Sequence, residues 1–136
     1  MINRKIDKEF ECFHALGRKE ALLIDGARQV GKTFSIREYG KRHFDHTIEI
    51  NFLKDRDAKG IFDNVHDEKD VLTRLSAYRK GEMIPGKTLI FFDEVQECPE
   101  VVTYIKFLVD EGSYRYVLSG SLLGVELKDL RSAPVG

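Results

Sequence analysis

The chain has no tryptophan, only two cysteines and only three prolines in 136 residues. Cys12 and Cys98 lie far apart, with no Cys-x-x-Cys pair and no histidine at ligand spacing. That excludes a sequence-encoded zinc ribbon or thiol-redox motif and leaves two reduced structural thiols. His14, His43, His46 and His66 show no metal-binding spacing either. There is no low-complexity tract and no internal repeat. Charge of one sign is also missing. The net charge is −1, so no global basic field draws nucleic acid or an anionic membrane. No apolar run approaches the ~20 residues that span a bilayer. The first residues carry charge without an apolar signal core behind it, so the expected location is cytoplasmic.

What is present is a well-charged globular composition, 42% apolar and 33% charged. A chain of this length buries about two-thirds of its unfolded surface, enough for one core. Short solid apolar runs alternate with helix-period stretches. Residues 21–24, 47–52, 88–92 and 114–118 read as strands, and solid runs fit strands buried on both faces of a parallel sheet. Helices are expected over residues 5–16, 32–41, 70–80 and 99–111. In the third, Val71, Leu72, Leu75 and Tyr78 share a face. In the fourth, Val101, Ile105 and Leu108 do, and Pro99 suits the first turn. Residues 55–69 are polar and weakly patterned, a connection with a short helical turn. Residues 131–136 suggest no element. The order predicts an α/β layer fold with right-handed parallel crossovers.

Two segments carry chemistry. Gly26-Ala27-Arg28-Gln29-Val30-Gly31-Lys32-Thr33 follows the first strand and opens a helix. This is the spacing of a phosphate-binding loop, which chance supplies in roughly one of a few hundred chains of this size. Glycines let the backbone turn so that successive N–H groups face one anion. The helix N-terminus adds its positive end. Lys32 would reach the β- and γ-phosphates, and Thr33 would ligand Mg²⁺. The second segment is Leu89-Ile90-Phe91-Phe92-Asp93-Glu94, a buried strand ending in two carboxylates about 60 residues further on. Asp93 would hold Mg²⁺, and Glu94 would deprotonate the attacking water. The fourth strand ends in Leu118-Ser119-Gly120-Ser121. Ser119 or Ser121 could sense the γ-phosphate or position the water.

No Asn-Lys-x-Asp guanine motif is present, and Asp93-Glu94-Val95-Gln96 lacks the glycine of a GTPase switch. Leu118-Ser119-Gly120-Ser121 lies after the acidic pair and differs from the ABC-transporter signature. The remaining pattern resembles the AAA-type ATPases. More closely, it resembles a group of prokaryotic ATP-binding proteins whose loop commonly reads Gly-Pro-Arg-Gln-x-Gly-Lys-Thr. Ala27 stands here in place of that proline. The resemblance also covers Leu89-Ile90-Phe91-Phe92-Asp93-Glu94-Val95-Gln96 and the Ser119-Gly120-Ser121 turn.

The resemblance implies a three-layer P-loop NTPase fold, with sheet order 5-1-4-3-2 and the loop-bearing strand central. It also implies ATP and Mg²⁺ as ligands, and hydrolysis of ATP to ADP and phosphate. Residues 1–136 then form one ATP-binding domain, expected to be truncated at its C-terminal end with the fifth strand missing. The first strand would become a sheet edge, inviting self-association. No arginine finger is assignable, though Arg131 lies in the right region, and its loss costs ~10³–10⁵ in rate. The partner would be an unknown protein or the missing C-terminal domain. Two other readings stand beside the ATPase. One is an ATP-gated switch with little turnover. The other is a nucleic-acid-associated ATPase module, using a basic patch of Arg37, Lys41, Arg42 and His43.

Overall fold

A computed structural model of the protein describes residues 4–16, 20–25, 30–121 and 130–133. Its elements run α1 (Arg4–Leu16), β1 (Ala21–Asp25), α2 (Val30–His43), β2 (His46–Asn51) and a 3₁₀ segment (Arg56–Phe62). They continue through α3 (Glu68–Tyr78), β3 (Thr88–Asp93), a 3₁₀ turn (Val95–Glu97), α4 (Glu100–Glu111), β4 (Arg115–Gly120) and β5 (Leu130–Ala133). The strands form one sheet in the order β2-β3-β4-β1-β5, with every described pairing parallel. This is the expected α/β P-loop NTPase architecture. Among the described residues, no helix is long and apolar enough to cross a membrane.

One expectation is overturned. A fifth strand is present, pairing Ala21 with Leu130 through Ile24 with Ala133. β1 therefore lies between β4 and β5 and is not a sheet edge. The ground for edge-driven self-association falls with it. Leu130-Arg131-Ser132-Ala133 is too short and mixed to show a period. Pairing with β1, rather than intrinsic propensity, makes it a strand.

Successive strand residues face opposite sides of a sheet. β3 is buried throughout, and its alternation divides the core. Leu89 and Phe91 join Leu22, Ile24 and Val117 under α1 and α2, where Phe10, Phe13, Ile36 and Tyr39 cover them. Ile90 and Phe92 join Ile48, Ile50 and Leu118 under α3 and α4, beneath Val71, Leu75, Val101, Ile105 and Leu108. Tyr78, expected on the apolar face of α3, is exposed. The connection after β2 is less polar in effect than its composition implies. Ala58, Ile61 and Phe62 are buried, and the Phe62 ring packs against Phe52 and Phe92 at 6.2 and 5.7 Å. Burying Ile61 and Phe62 contributes about 1.5–3 kcal/mol each.

α1 and α2 are held by stacking of Phe10 on Tyr39, with centroids 5.0 Å apart. From below, Arg115 donates to the carbonyls of Phe13 and His14 at 3.1 and 3.3 Å. These are the C-terminal carbonyls of α1, which lack partners within the helix.

α2 approaches β2 closely because Gly40 has no side chain. A Cβ there would lie 2.2 Å from Thr47 Oγ1, 3.2 Å from its Cβ and 3.3 Å from its Cγ2. Rotating Thr47 cannot clear all three. Glycine to alanine inside a helix ordinarily gains about 1 kcal/mol. Here Gly40→Ala should instead destabilise by about 1–3 kcal/mol, the usual cost of overpacking. Denaturant unfolding of the variant, of Thr47→Gly and of the two combined checks this, since the combined loss should be smaller than the sum of the two single losses.

Candidate functional site

In a parallel sheet all strands present their C-terminal ends on one rim, which is where ligands bind. On this rim β1 ends at Asp25 and α2 begins at Val30. Gly26, Ala27, Arg28 and Gln29, the first half of the expected phosphate loop, lie outside the described residues, as do the surroundings of Val30 and Gly31. The second half forms the first turn of α2. That turn carries no acidic side chain, while Lys41, Arg42 and His43 occupy the last turn. Within the helix itself no acid offsets the positive end, while the negative end is matched. Lys32 is 5% exposed, and Thr33 beside it is half-buried.

Asp93 ends β3 and is 9% exposed. Its Oδ1 accepts from the Glu94 backbone N–H at 2.9 Å, and its Oδ2 from Asn51 Nδ2 at 3.4 Å. Asn51 is its register partner on β2, and Asn51 Oδ1 in turn accepts from the N–H groups of Leu53 and Lys54, both at 3.0 Å. Burial pushes the Asp93 carboxyl above its ordinary value. The Glu94 N–H and the Lys32 charge pull it down, the Glu94 carboxylate pushes it up, and the Ser119 hydroxyl pulls it down. Ser119 Oγ is near enough to favour the Asp93 anion but makes no hydrogen bond of regular geometry. That hydroxyl is fully buried at the end of β4. A buried hydroxyl without a partner costs about 1–3 kcal/mol. Its position beside a buried lysine and a buried carboxylate suits a polar ligand.

Glu94 leaves β3 in the left-handed region, φ 54° and ψ 49°. Its Oε1 accepts from Gln96 Nε2 at 2.9 Å, and Gln96 Oε1 accepts from the Ser121 N–H at 3.2 Å. Ser121 itself is exposed.

The described candidates thus fall into two adjoining groups. Lys32, Asp93 and Ser119 share one environment, and Glu94 reaches Ser121 through Gln96. Thr33 lies on the same helical turn as Lys32. Reading the sequence for motifs missed Asn51, whose signal was its place at the end of β2, and Gln96, whose signal was its spacing from Glu94. It also missed Glu49, which pairs with Arg37 through two 2.9 Å bonds, within the field of Asp93. The basic patch is largely spent. Besides Arg37, both Arg42 and His43 meet Glu11 of α1, at 3.1 and 3.0 Å.

The donor set has the hard-oxygen character that Mg²⁺ takes. That ion is commonly held by one or two carboxylates together with substrate phosphates. Thr33 and Asp93 fit this pattern. Among the described residues no three His, Cys, Asp or Glu side chains cluster as a metal cage.

Comparison with known proteins gives one family match. Residues 18–136 match a family model described as an AAA domain. No curated protein matches the chain.

The Asp93 environment has a pH signature. Its folded value lies above the unfolded one, so the folded state holds the proton more tightly. Between those two values stability falls as pH rises, and above both the penalty is complete. In metal-free protein at neutral pH, Asp93→Asn should therefore raise the denaturant midpoint. The wild type should regain that difference when acidified through the Asp93 window. Urea titrations of both proteins across pH 3–8 measure it.

Proposed function

The chain belongs to the AAA domain family, and on that premise we propose that it binds Mg-ATP at the C-terminal rim of the sheet and hydrolyses it. The observation that carries the reading is the shared burial of Lys32, Asp93 and Ser119 at the mouth of the α2 helix. A buried ammonium and carboxylate beside a buried hydroxyl that makes no regular hydrogen bond among the described residues make little sense as a core. As a phosphate and cation site they are complementary.

In this reading, backbone N–H groups of residues 26–33 and the N-terminus of α2 bind the phosphates. Lys32 sets its charge against the β- and γ-phosphates, and Ser119 donates its hydroxyl toward the terminal phosphate or the water. Thr33 and Asp93 would hold Mg²⁺, which when bound neutralises charge on the transferring group. Glu94 accepts the proton of the attacking water as its oxygen bonds to phosphorus and the bond to ADP breaks. Ser121 contributes through its backbone at the β4 exit. The nucleic-acid reading has less support, since three of its four basic side chains are engaged with Glu49 and Glu11.

Calorimetry with Mg-ATP should show saturable binding that Lys32→Ala weakens about tenfold or more, the scale of a lost charge-assisted hydrogen bond. Glu94→Gln should bind as the wild type does and lose turnover by ~10²–10⁴-fold. Chelation with EDTA should stop phosphate release. If wild type and Glu94→Gln bind ATP alike and neither releases phosphate, the ATP-gated switch replaces the enzyme.

A further inference from the structure

The side chain at position 96 meets two groups with opposite needs. The Glu94 carboxylate can only accept a hydrogen bond, and the Ser121 N–H can only donate one. A primary amide supplies both, and Gln96 spends its NH₂ on Glu94 and its carbonyl on Ser121. Glutamate would set carboxylate against carboxylate. A hydrocarbon of the same reach would serve neither group.

The neighbouring backbone is shaped around that amide. A Cβ on Gly120 would lie 2.4 Å from Gln96 Oε1 and 2.9 Å from the Val95 nitrogen, and Gly120 has φ 151°. The space Gln96 needs exists because residue 120 has no side chain. Glu94 adopts a left-handed conformation unusual for a residue with a Cβ. Such conformations persist where the surroundings fix them from several sides. Here Asp93 Oδ1 holds the Glu94 N–H and Gln96 holds its carboxylate. The end of β4 thus carries two connections, the Ser119 hydroxyl beside Asp93 and the Ser121 N–H on Gln96.

We propose that Gln96 is a positioning residue that aims the Glu94 carboxylate and ties that aim to the position of the β4 exit. The role rests on the reading of Glu94 as the base for ATP hydrolysis. Gln96 touches no reacting atom. When the terminal phosphate engages Ser119, displacement of the β4 exit passes through the Ser121 N–H to the Gln96 amide and on to the carboxylate. The base is then oriented when the phosphate is in place.

The test is single-turnover ATP hydrolysis with protein in excess, together with ATP and ADP affinities by calorimetry. The variants are Gln96→Met, which keeps reach without donor or acceptor, Gln96→Glu, Glu94→Gln, and Gln96→Met combined with Glu94→Gln. Misplacing a catalytic group by about 1 Å costs ~10²-fold. Gln96→Met and Gln96→Glu should therefore slow the chemical step ~10–100-fold and leave both affinities within about twofold. Added to Glu94→Gln, Gln96→Met should cost nothing further, because its effect runs through Glu94.

Full activity in Gln96→Met overturns the proposal and leaves the hydrolysis reading intact. So does an undiminished further loss in the double variant. A wild type without turnover overturns the hydrolysis reading and the role of Gln96 together, whereas full turnover in Glu94→Gln overturns Glu94 as the base, and Gln96 with it, while hydrolysis stands.

Discussion

Keeping a carboxylate out of water at the end of β3 is the constraint on which the site depends. Asp93 is nine-tenths buried, and desolvation pushes its carboxyl above the ordinary value. What opposes desolvation comes from four places in the chain. α2 brings Lys32, β2 brings Asn51, β4 brings Ser119, and the turn after β3 brings the Glu94 N–H. No local motif can assemble that set. It requires β2, β3 and β4 adjacent, parallel and in register, so that Asn51 lies opposite Asp93 and Phe92 opposite Leu118. The opposition is incomplete, since burial still outweighs it. A bound divalent cation would supply the missing charge and reverse the sign of the environment.

The rest of the fold serves that register. Burying β3 on both faces asks for two apolar layers, and the alternation of Leu89, Ile90, Phe91 and Phe92 divides its side chains between them. α2 is drawn onto β2 where Gly40 meets Thr47, which sets the height of the helix along the sheet. The same helix carries Lys32 at its other end. Packing at Gly40 and charge placement at Lys32 are therefore linked through one helix, in which the two positions lie eight residues apart, or about 12 Å of helix rise.

Much of this was legible in the chain, and the parts that were not share a cause. The four longer strands and four helices announced themselves by solid apolar runs and helical spacing, because burial on two faces or one leaves a periodic trace. β5 left none. Four mixed residues become a strand only through pairing with β1, a partner more than a hundred positions away. Lys32, Thr33, Asp93 and Glu94 could be nominated because their spacing within a segment is local. Asn51 and Gln96 could not be given roles in that way. Asn51 matters because β2 lies beside β3, and Gln96 because the β4 exit passes within 3.2 Å of it. The basic patch failed for the same reason in reverse. Arg37, Arg42 and His43 look like a cluster in sequence, while Glu49 and Glu11, which engage them, come from β2 and α1.

The two rims of the sheet differ in how they treat polar groups, and the difference says which one is for binding. At the N-terminal rim several polar groups are satisfied within the chain. Thr88 Oγ1 accepts from the Ile84 N–H at 3.0 Å and donates to the Glu82 carbonyl, Arg115 takes the last carbonyls of α1, and His14 Nδ1 meets the Tyr39 hydroxyl at 3.1 Å. Among the described residues of the C-terminal rim, the first turn of α2 carries no acid, Ser119 Oγ has no regular partner, and Asp93 is less stabilised than in water. Ser35 and Tyr116 also hold buried hydroxyls without partners among the described residues, but neither stands among the groups that act on Asp93. The chain pairs Thr88, Arg115 and His14 at one rim, though the Tyr116 hydroxyl near the start of β4 finds no partner among the described residues. That it leaves a cation, an anion and a hydroxyl facing one another at the C-terminal rim is an argument for a charged ligand completing the set.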